Sequence, residues 1–259
     1  MATRILRIGD FIGEELVHAG DRPLPAVTPG SDLNRVSSIF GGDPHKIRQY
    51  MSQVMPGQDL ELIGSGAYGL AFAWRRRPGL PTDFWDGVSG TDPGDHPTVV
   101  KLTSQEREAK EVLKIMDASR NISLPGIVRY HWVKELEPIK GRKDMVWLFC
   151  MESLEPLSMR DRDVIDMLSA LEDYFPGTNS YRAQVIEQML SSPSMGTLAR
   201  LAKSYLASLG GRSGISLLRR IAKGLDDINK SATRLGLRTE DLHHGNMGWR
   251  GTKLIAFDF

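Results

Sequence analysis

The spacing of apolar positions changes part-way along the chain. Between about residue 60 and residue 151 they fall in short β-branched or alternating runs, which predicts strands over 60–63, 70–74, 98–103, 127–133 and 145–151. One helix, over 104–118, interrupts them, and Ala109, Val112, Leu113 and Met116 mark its buried stripe. From residue 158 the steps become three and four residues, which predicts helices over 160–174, 180–190, 196–209 and 215–235. The last is the clearest. Ile215, Leu218, Ile221, Leu225, Ile228, Ala232 and Leu235 share one face, and Gly236 supplies the stop. Two short runs, 247–250 and 253–257, then read as a hairpin turning at Gly251-Thr252.

Two stretches lack a clear period. Residues 1–59 form an N-terminal extension that packs on a domain starting near Leu60; within it a helix is expected over 44–55, with Asp43 as its cap. Residues 75–97 are dense in Pro, Gly and Asp and read as a long loop, with Phe84 and Trp85 pinning it. The pattern therefore predicts an α+β chain with a strand-rich lobe over 60–153 and a mainly helical lobe over 154–259.

Composition narrows the class. Hydrophobic residues make up 41%, which excludes a disordered chain. Thirty-three Lys and Arg against 32 Asp and Glu leave a net charge of +1, which excludes a polybasic nucleic-acid coat or an acidic tail as the main theme. The lone cysteine, Cys150, can form neither an internal disulfide nor a cysteine-based zinc site, which is compatible with a reducing compartment. No apolar run approaches the ~20 residues a membrane span requires, and Asp10, Glu14 and Glu15 stand where a signal peptide needs an apolar stretch. A soluble, cytoplasmic protein with no membrane partner is expected. Arg75-Arg76-Arg77 is the one basic cluster. Without interleaved aromatics it reads as a solvated turn, and nucleic acid is not an expected partner.

Three motifs carry chemistry. The first is Gly64-Ser65-Gly66-Ala67-Tyr68-Gly69 between two predicted strands. A strand–glycine–strand hairpin can cover phosphates with its backbone amides, whereas a dinucleotide fold needs a helix after the glycines; an ordinary glycine turn is the alternative. The second is Lys101, set among Val99, Val100 and Leu102 on a strand. It either points to solvent or holds a nucleotide phosphate while pairing with an acid on the next helix. Glu108 lies at the edge of that helix's apolar stripe and Glu111 nearly opposite it, so Glu108 is preferred. The third is Asp241-Leu242-His243-His244-Gly245-Asn246, with Asp258 directly after the apolar strand Leu254-Ile255-Ala256-Phe257. Asp241 can orient an attacking hydroxyl, and Asn246 with Asp258 offers hard oxygen ligands suited to Mg²⁺. Turn chemistry at Asp241 and Asn246 is the structural alternative. Adjacent histidines rarely aim both rings at one ion, so a histidine metal site is not favoured.

Taken in order, these residues resemble the protein-kinase-like superfamily over about residues 60–259. The resemblance implies a bilobal protein-kinase-like fold, with an antiparallel-sheet N-lobe carrying one helix and a reduced, mainly helical C-lobe bearing the catalytic loop. It implies ATP and Mg²⁺ as cofactors. Asp241, Lys101 and Glu108 would be catalytic. Gly64, Ser65, Gly66, Ala67, Tyr68 and Gly69 would lie over the nucleotide, and the connector Met151, Glu152 and Ser153 would face the adenine. Asn246 and Asp258 would hold the metal. Departures bear on the acceptor. Thr239-Glu240 stands where His-Arg usually precedes the loop aspartate, Ala71 replaces the usual valine, and the chain reaches only Phe259. The loop is similar to those of aminoglycoside- and choline-type kinases, atypical protein kinases and the short kinases of some bacteriophages. A minimal protein serine/threonine kinase is the preferred reading, located in the host cytoplasm if phage-encoded. A small-molecule kinase and a catalytically silent nucleotide-binding regulator are the alternatives, the former drawing on the acidic run Asp161, Asp163, Asp166, Glu172 and Asp173.

Overall fold

The computed structural model describes residues 43–65, 69–77, 79–136, 145–157, 164–165, 168–169, 182–184, 186–187, 212–237, 242 and 244–257. These residues divide into two compact units. One holds the described residues up to Asn121 together with Arg129–Ser153; the other holds Ile122–Val128 and those from Leu154 onward.

The first unit opens with helix α1, Pro44–Val54. Asp43 caps it, its carboxylate accepting from the His45 amide at 2.9 Å, and Pro44 sits in the first turn, where a missing N–H costs nothing. Six strands follow: β1 Asp59–Ser65, β2 Gly69–Arg75, β3 Val88–Gly90, β4 Thr98–Thr103, β5 Tyr130–Leu136 and β6 Val146–Glu152. They form one antiparallel sheet in the order β1-β2-β4-β6-β5-β3. Helix α2, Glu106–Ser119, connects β4 towards β5.

The pleat sends alternate residues to opposite faces, and the two faces have different contents. Leu70, Phe72 and Trp74 of β2, Val100 and Leu102 of β4, and Leu148 and Cys150 of β6 join Ile47 and Met51 of α1, and Met55 just after it, in one apolar core. The helix expected in the N-terminal extension is therefore part of this unit's core. The other face carries Val99 and Lys101 of β4 and Phe149 and Met151 of β6, and α2 packs against β4, β5 and β6.

The stretch over 75–97 is more ordered than a loop. It contains a 3₁₀ turn, Thr82–Trp85, and strand β3, which pairs with β5 at the sheet edge. Phe84 is buried and packs edge-to-face on Trp85 and Trp132, with centroids 5.2 and 5.6 Å apart; Trp74 completes the cluster. Lys134 donates to the Phe84 carbonyl and lies 4.7 Å above its ring. β3 escaped the sequence pattern because three residues, Val88-Ser89-Gly90, cannot show an alternation.

In the second unit, helix α3 spans Arg212–Leu235 and ends at Gly236, whose φ of 57° suits a glycine stop. Strands β7 Glu155–Pro156, β8 Met247–Arg250 and β9 Lys253–Ala256 form a second sheet in the order β7-β8-β9. The β8–β9 hairpin turns at Gly251, with φ 60°, where the sequence places it. Helical residues also occur at 164–165, 168–169, 182–184 and 186–187, within two of the predicted helices. The helix expected over 196–209 lies outside the described residues, as do all five acidic positions of the run, Asp161, Asp163, Asp166, Glu172 and Asp173. Ile221, Leu225 and Ile228 of α3 pack with Leu242, Met247, Leu254 and Ala256. The strand expected over 127–133 begins at Tyr130 instead. Ile127 forms a parallel bridge to Ala256 and, buried, belongs to the second unit. No helix among the described residues is long and apolar enough to cross a membrane.

Candidate functional site

Lys101 lies mid-strand in β4, between Ala71 of β2 and Phe149 of β6. Its stem crosses Gly69: a Cβ there would stand 2.8 Å from Lys101 Cε and 3.1 Å from the Leu102 carbonyl oxygen. The glycine that ends the sequence motif thus makes room for the lysine. Lys101 Nζ meets Glu108 Oε1 at 2.5 Å and lies 5.9 Å from the centre of the Phe149 ring. The two side chains are only 17% and 10% exposed. Two charges withdrawn from water to this extent persist only when each answers the other.

The two glutamates left open by the sequence separate clearly. Glu108 faces the sheet and pairs with Lys101, whereas Glu111 pairs with Arg107 one turn back along the same helix, at 3.1 Å. The α2 face that buries Glu108 also buries Ala109, Val112, Ile115 and Met116. Leu113, assigned to that stripe from the sequence, is instead exposed. Phe149, which no motif singled out, presents its ring to the ammonium group; an aromatic on a strand carries no sequence mark of that role.

The glycine motif sits where two antiparallel strands meet. Gly64 pairs with Ala71 and Ser65 with Leu70, after an irregularity between Leu62 and Gly64 that re-aims the end of the strand. Gly66, Ala67 and Tyr68 lie outside the described residues. In the connector, Met151 pairs with Val99 and Tyr130. The Glu152 amide donates to the Arg129 carbonyl at 2.9 Å, and the Ser153 amide donates to the Pro97 carbonyl at 3.0 Å. Both N–H groups are spent within the first unit, so neither can donate to a ligand.

In the second unit, a 3₁₀ turn, His244–Asn246, leads directly into β8. The hairpin brings Asn246 opposite the end of β9: the Phe257 amide donates to the Asn246 carbonyl at 3.0 Å. Residues eleven apart in sequence are therefore neighbours, and Asp258 is the next residue after Phe257. Asp241 and Asp258 themselves lie outside the described residues. Leu242, which follows Asp241, is buried, and its carbonyl accepts from the guanidinium of Arg182 at 3.4 Å. Arg182 is itself only 8% exposed and was not singled out in the sequence, where one arginine in a polar helix has no distinguishing period. Among the described residues, no group of three or more His, Cys, Asp or Glu could hold a metal ion. Asn246 carries an amide oxygen, a hard donor of the kind Mg²⁺ accepts.

The Arg75-Arg76-Arg77 cluster is taken up locally. Arg75 meets Glu61 and Arg77 meets Asp59, each at 3.4 Å, and Arg76 pairs with Asp92.

No protein-family model matches the chain, and no curated protein matches it.

Proposed function

We propose that the protein transfers the γ-phosphoryl group of ATP to a hydroxyl group, preferably on a protein serine or threonine. The observation that supports this most is the buried Lys101–Glu108 ion pair beside the glycine hairpin. An ammonium group fixed in direction by a helix carboxylate, and shielded from water, suits the α- and β-phosphates of a nucleotide. For the implied cofactors, Lys101 would supply the cation for the phosphates, and Asn246 and Asp258 would supply oxygen ligands for Mg²⁺. When bound, Mg²⁺ supplies charge neutralisation at the β- and γ-phosphates.

The remaining roles belong to the chain. Lys101 holds the phosphates, Glu108 orients Lys101, and Gly69 leaves space for the lysine stem. Asp241 orients the acceptor hydroxyl and takes its proton as the oxygen forms a bond to the γ-phosphorus. The bond from that phosphorus to the β,γ-bridging oxygen breaks, and ADP leaves. Catalysis of this kind draws on positioning and charge rather than on a covalent enzyme intermediate.

Incubation with γ-labelled ATP, Mg²⁺ and a cell lysate tests the proposal. Labelled protein bands are expected, and Asp241→Asn should abolish them while retaining ATP binding. Labelled small metabolites would instead identify a small-molecule kinase. Nucleotide binding without any transfer would identify a silent regulator, and full activity of Asp241→Asn would remove the assignment of that residue.

A further inference from the structure

We infer that Gly126 and Arg250 are positioning residues for the end of β9, where the Phe257 amide meets Asn246 and the chain leads into Asp258; the inference rests on the phosphotransfer reading above, which gives the metal to Asn246 and Asp258. β9 is an edge strand of its sheet, with β8 on one side only. An open edge leaves backbone groups unpaired and lets a strand end fray. Here the edge is closed at the residue that matters. The Ala256 amide donates to the Gly126 carbonyl at 3.0 Å, and the Val128 amide donates to the Ala256 carbonyl at 2.9 Å. On the other side the Phe257 amide donates to the Asn246 carbonyl at 3.0 Å. Ala256 is therefore held by the segment 126–128, and Phe257, the next residue, by Asn246.

The clamp is built for close approach. The segment Ile122–Val128 belongs to the second unit, although the chain on either side of it belongs to the first. Gly126 lies against the backbone of α3: a Cβ there would stand 2.2 Å from the Ile228 nitrogen and 2.4 Å from its Cα. Any side chain would force the segment away from α3 or away from Ala256. From β8, the Arg250 guanidinium donates to the Ile127 carbonyl at 3.1 Å, fixing the residue between the two that bond Ala256. Groups that hold a metal ligand without touching the metal tune its affinity through ligand placement, and their loss typically weakens binding by about 10–100-fold.

The test is a thermal-shift titration of the full chain with Mg²⁺ at fixed ATP. It compares the wild type with Arg250→Met, Arg250→Lys and Gly126→Ala. Arg250→Met should raise the half-saturating Mg²⁺ concentration by about 10-fold. Arg250→Lys, which keeps a donor, should recover most of the wild-type value. Gly126→Ala should shift it further in the same direction. A merely structural role would lower the ligand-free melting temperature and leave half-saturation where it was; that result for Arg250→Met overturns the inference and leaves the phosphotransfer reading standing. A wild type whose melting temperature does not respond to Mg²⁺ with ATP overturns that reading and this inference with it.

Discussion

Lys101 and the three arginines at 75–77 stand on or beside neighbouring strands, and all four meet carboxylates, yet they do so under different conditions. The side chains of Arg75 and Arg77 are 52% and 65% exposed, and their partners also reach water. Lys101 and Glu108 are 17% and 10% exposed. An exposed pair gains little, because water and salt already screen each charge. A pair taken out of water costs more to assemble than to leave apart unless its geometry is good, and apolar residues would fill the same space more cheaply. Clustering of charge in a sequence is therefore a poor guide to a buried ion pair here. A single charge placed among apolar strand residues is the better one.

The widest gap between the two sets should appear on substitution of Lys101. Lys101→Met should reduce phosphoryl transfer by at least about 100-fold and remove the melting-temperature rise caused by Mg²⁺ with ATP. It also leaves Glu108 without its ammonium partner, a loss of about 3 kcal/mol read by urea unfolding. That is the low end for a broken buried pair, because both residues keep other contacts. Glu108→Gln should share the activity loss at roughly one-tenth of wild-type turnover, while Glu111→Gln should leave turnover unchanged. Equal behaviour of the two glutamine variants would erase the distinction between the carboxylate that meets Lys101 and the one that meets Arg107.

That distinction was visible before the structure because a helix repeats every 3.6 residues. Glu108 borders the apolar stripe and Glu111 does not. β4 was equally legible: Thr98–Thr103 is rich in β-branched residues, with Lys101 as its one charge, and the observed strand has the same bounds. Other features carried no such mark. β7 and β3 are too short to display a period. Ile127 and Val128 look like the start of β5, but their backbone pairs with Ala256 of β9 instead, a choice that depends on tertiary structure. The spent amides of Glu152 and Ser153 likewise depend on which carbonyls lie nearby, Arg129 and Pro97, and no local pattern encodes that. The neighbourhood of Asn246 and Phe257 was implicit in the hairpin, because the turn at Gly251 fixes which residues face each other.

His131 supplies an intermediate case. It lies on β5, half-buried, with its Nε2 buried and without a hydrogen-bond partner among the described residues. Burial lowers its pKa below the ordinary 6.5, and Arg129 and His96 add to that, while Glu152 and Asp92 oppose it. A base withdrawn from water without a bonded carboxylate thus stays neutral, where Lys101 with one stays paired. The sign of the pH effect follows. The unfolded chain takes up this proton at a higher pH than the folded one, so stability is intact above pH 6.5 and declines as the pH falls through and below that value. Urea unfolding between pH 7 and about 5 should show this decline, and His131→Gln should flatten it. An unchanged slope in that variant would place the acid sensitivity elsewhere.

The smallest effect should come from the arginines. Arg77 reaches Asp59 at 3.4 Å, long for a charge-assisted bond, and its backbone is held independently: the Arg77 amide donates to Gln58 Oε1 and its carbonyl accepts from Gln58 Nε2, each at 3.0 Å. Truncating the side chain leaves both backbone bonds in place, and Gln58 continues to accept from the Trp74 indole. Arg77→Ala should therefore cost about 0–0.5 kcal/mol in low salt and nothing measurable at high ionic strength, where the Debye length falls to about 3 Å at 1 M. Gln58→Ala makes the sharper contrast, because it removes bonds to two backbone groups and one indole at once and should destabilise the chain by more than Arg77→Ala at every salt concentration. If Arg77→Ala proved the more damaging of the two, exposed charge rather than backbone pairing would be holding the start of this insertion to β1.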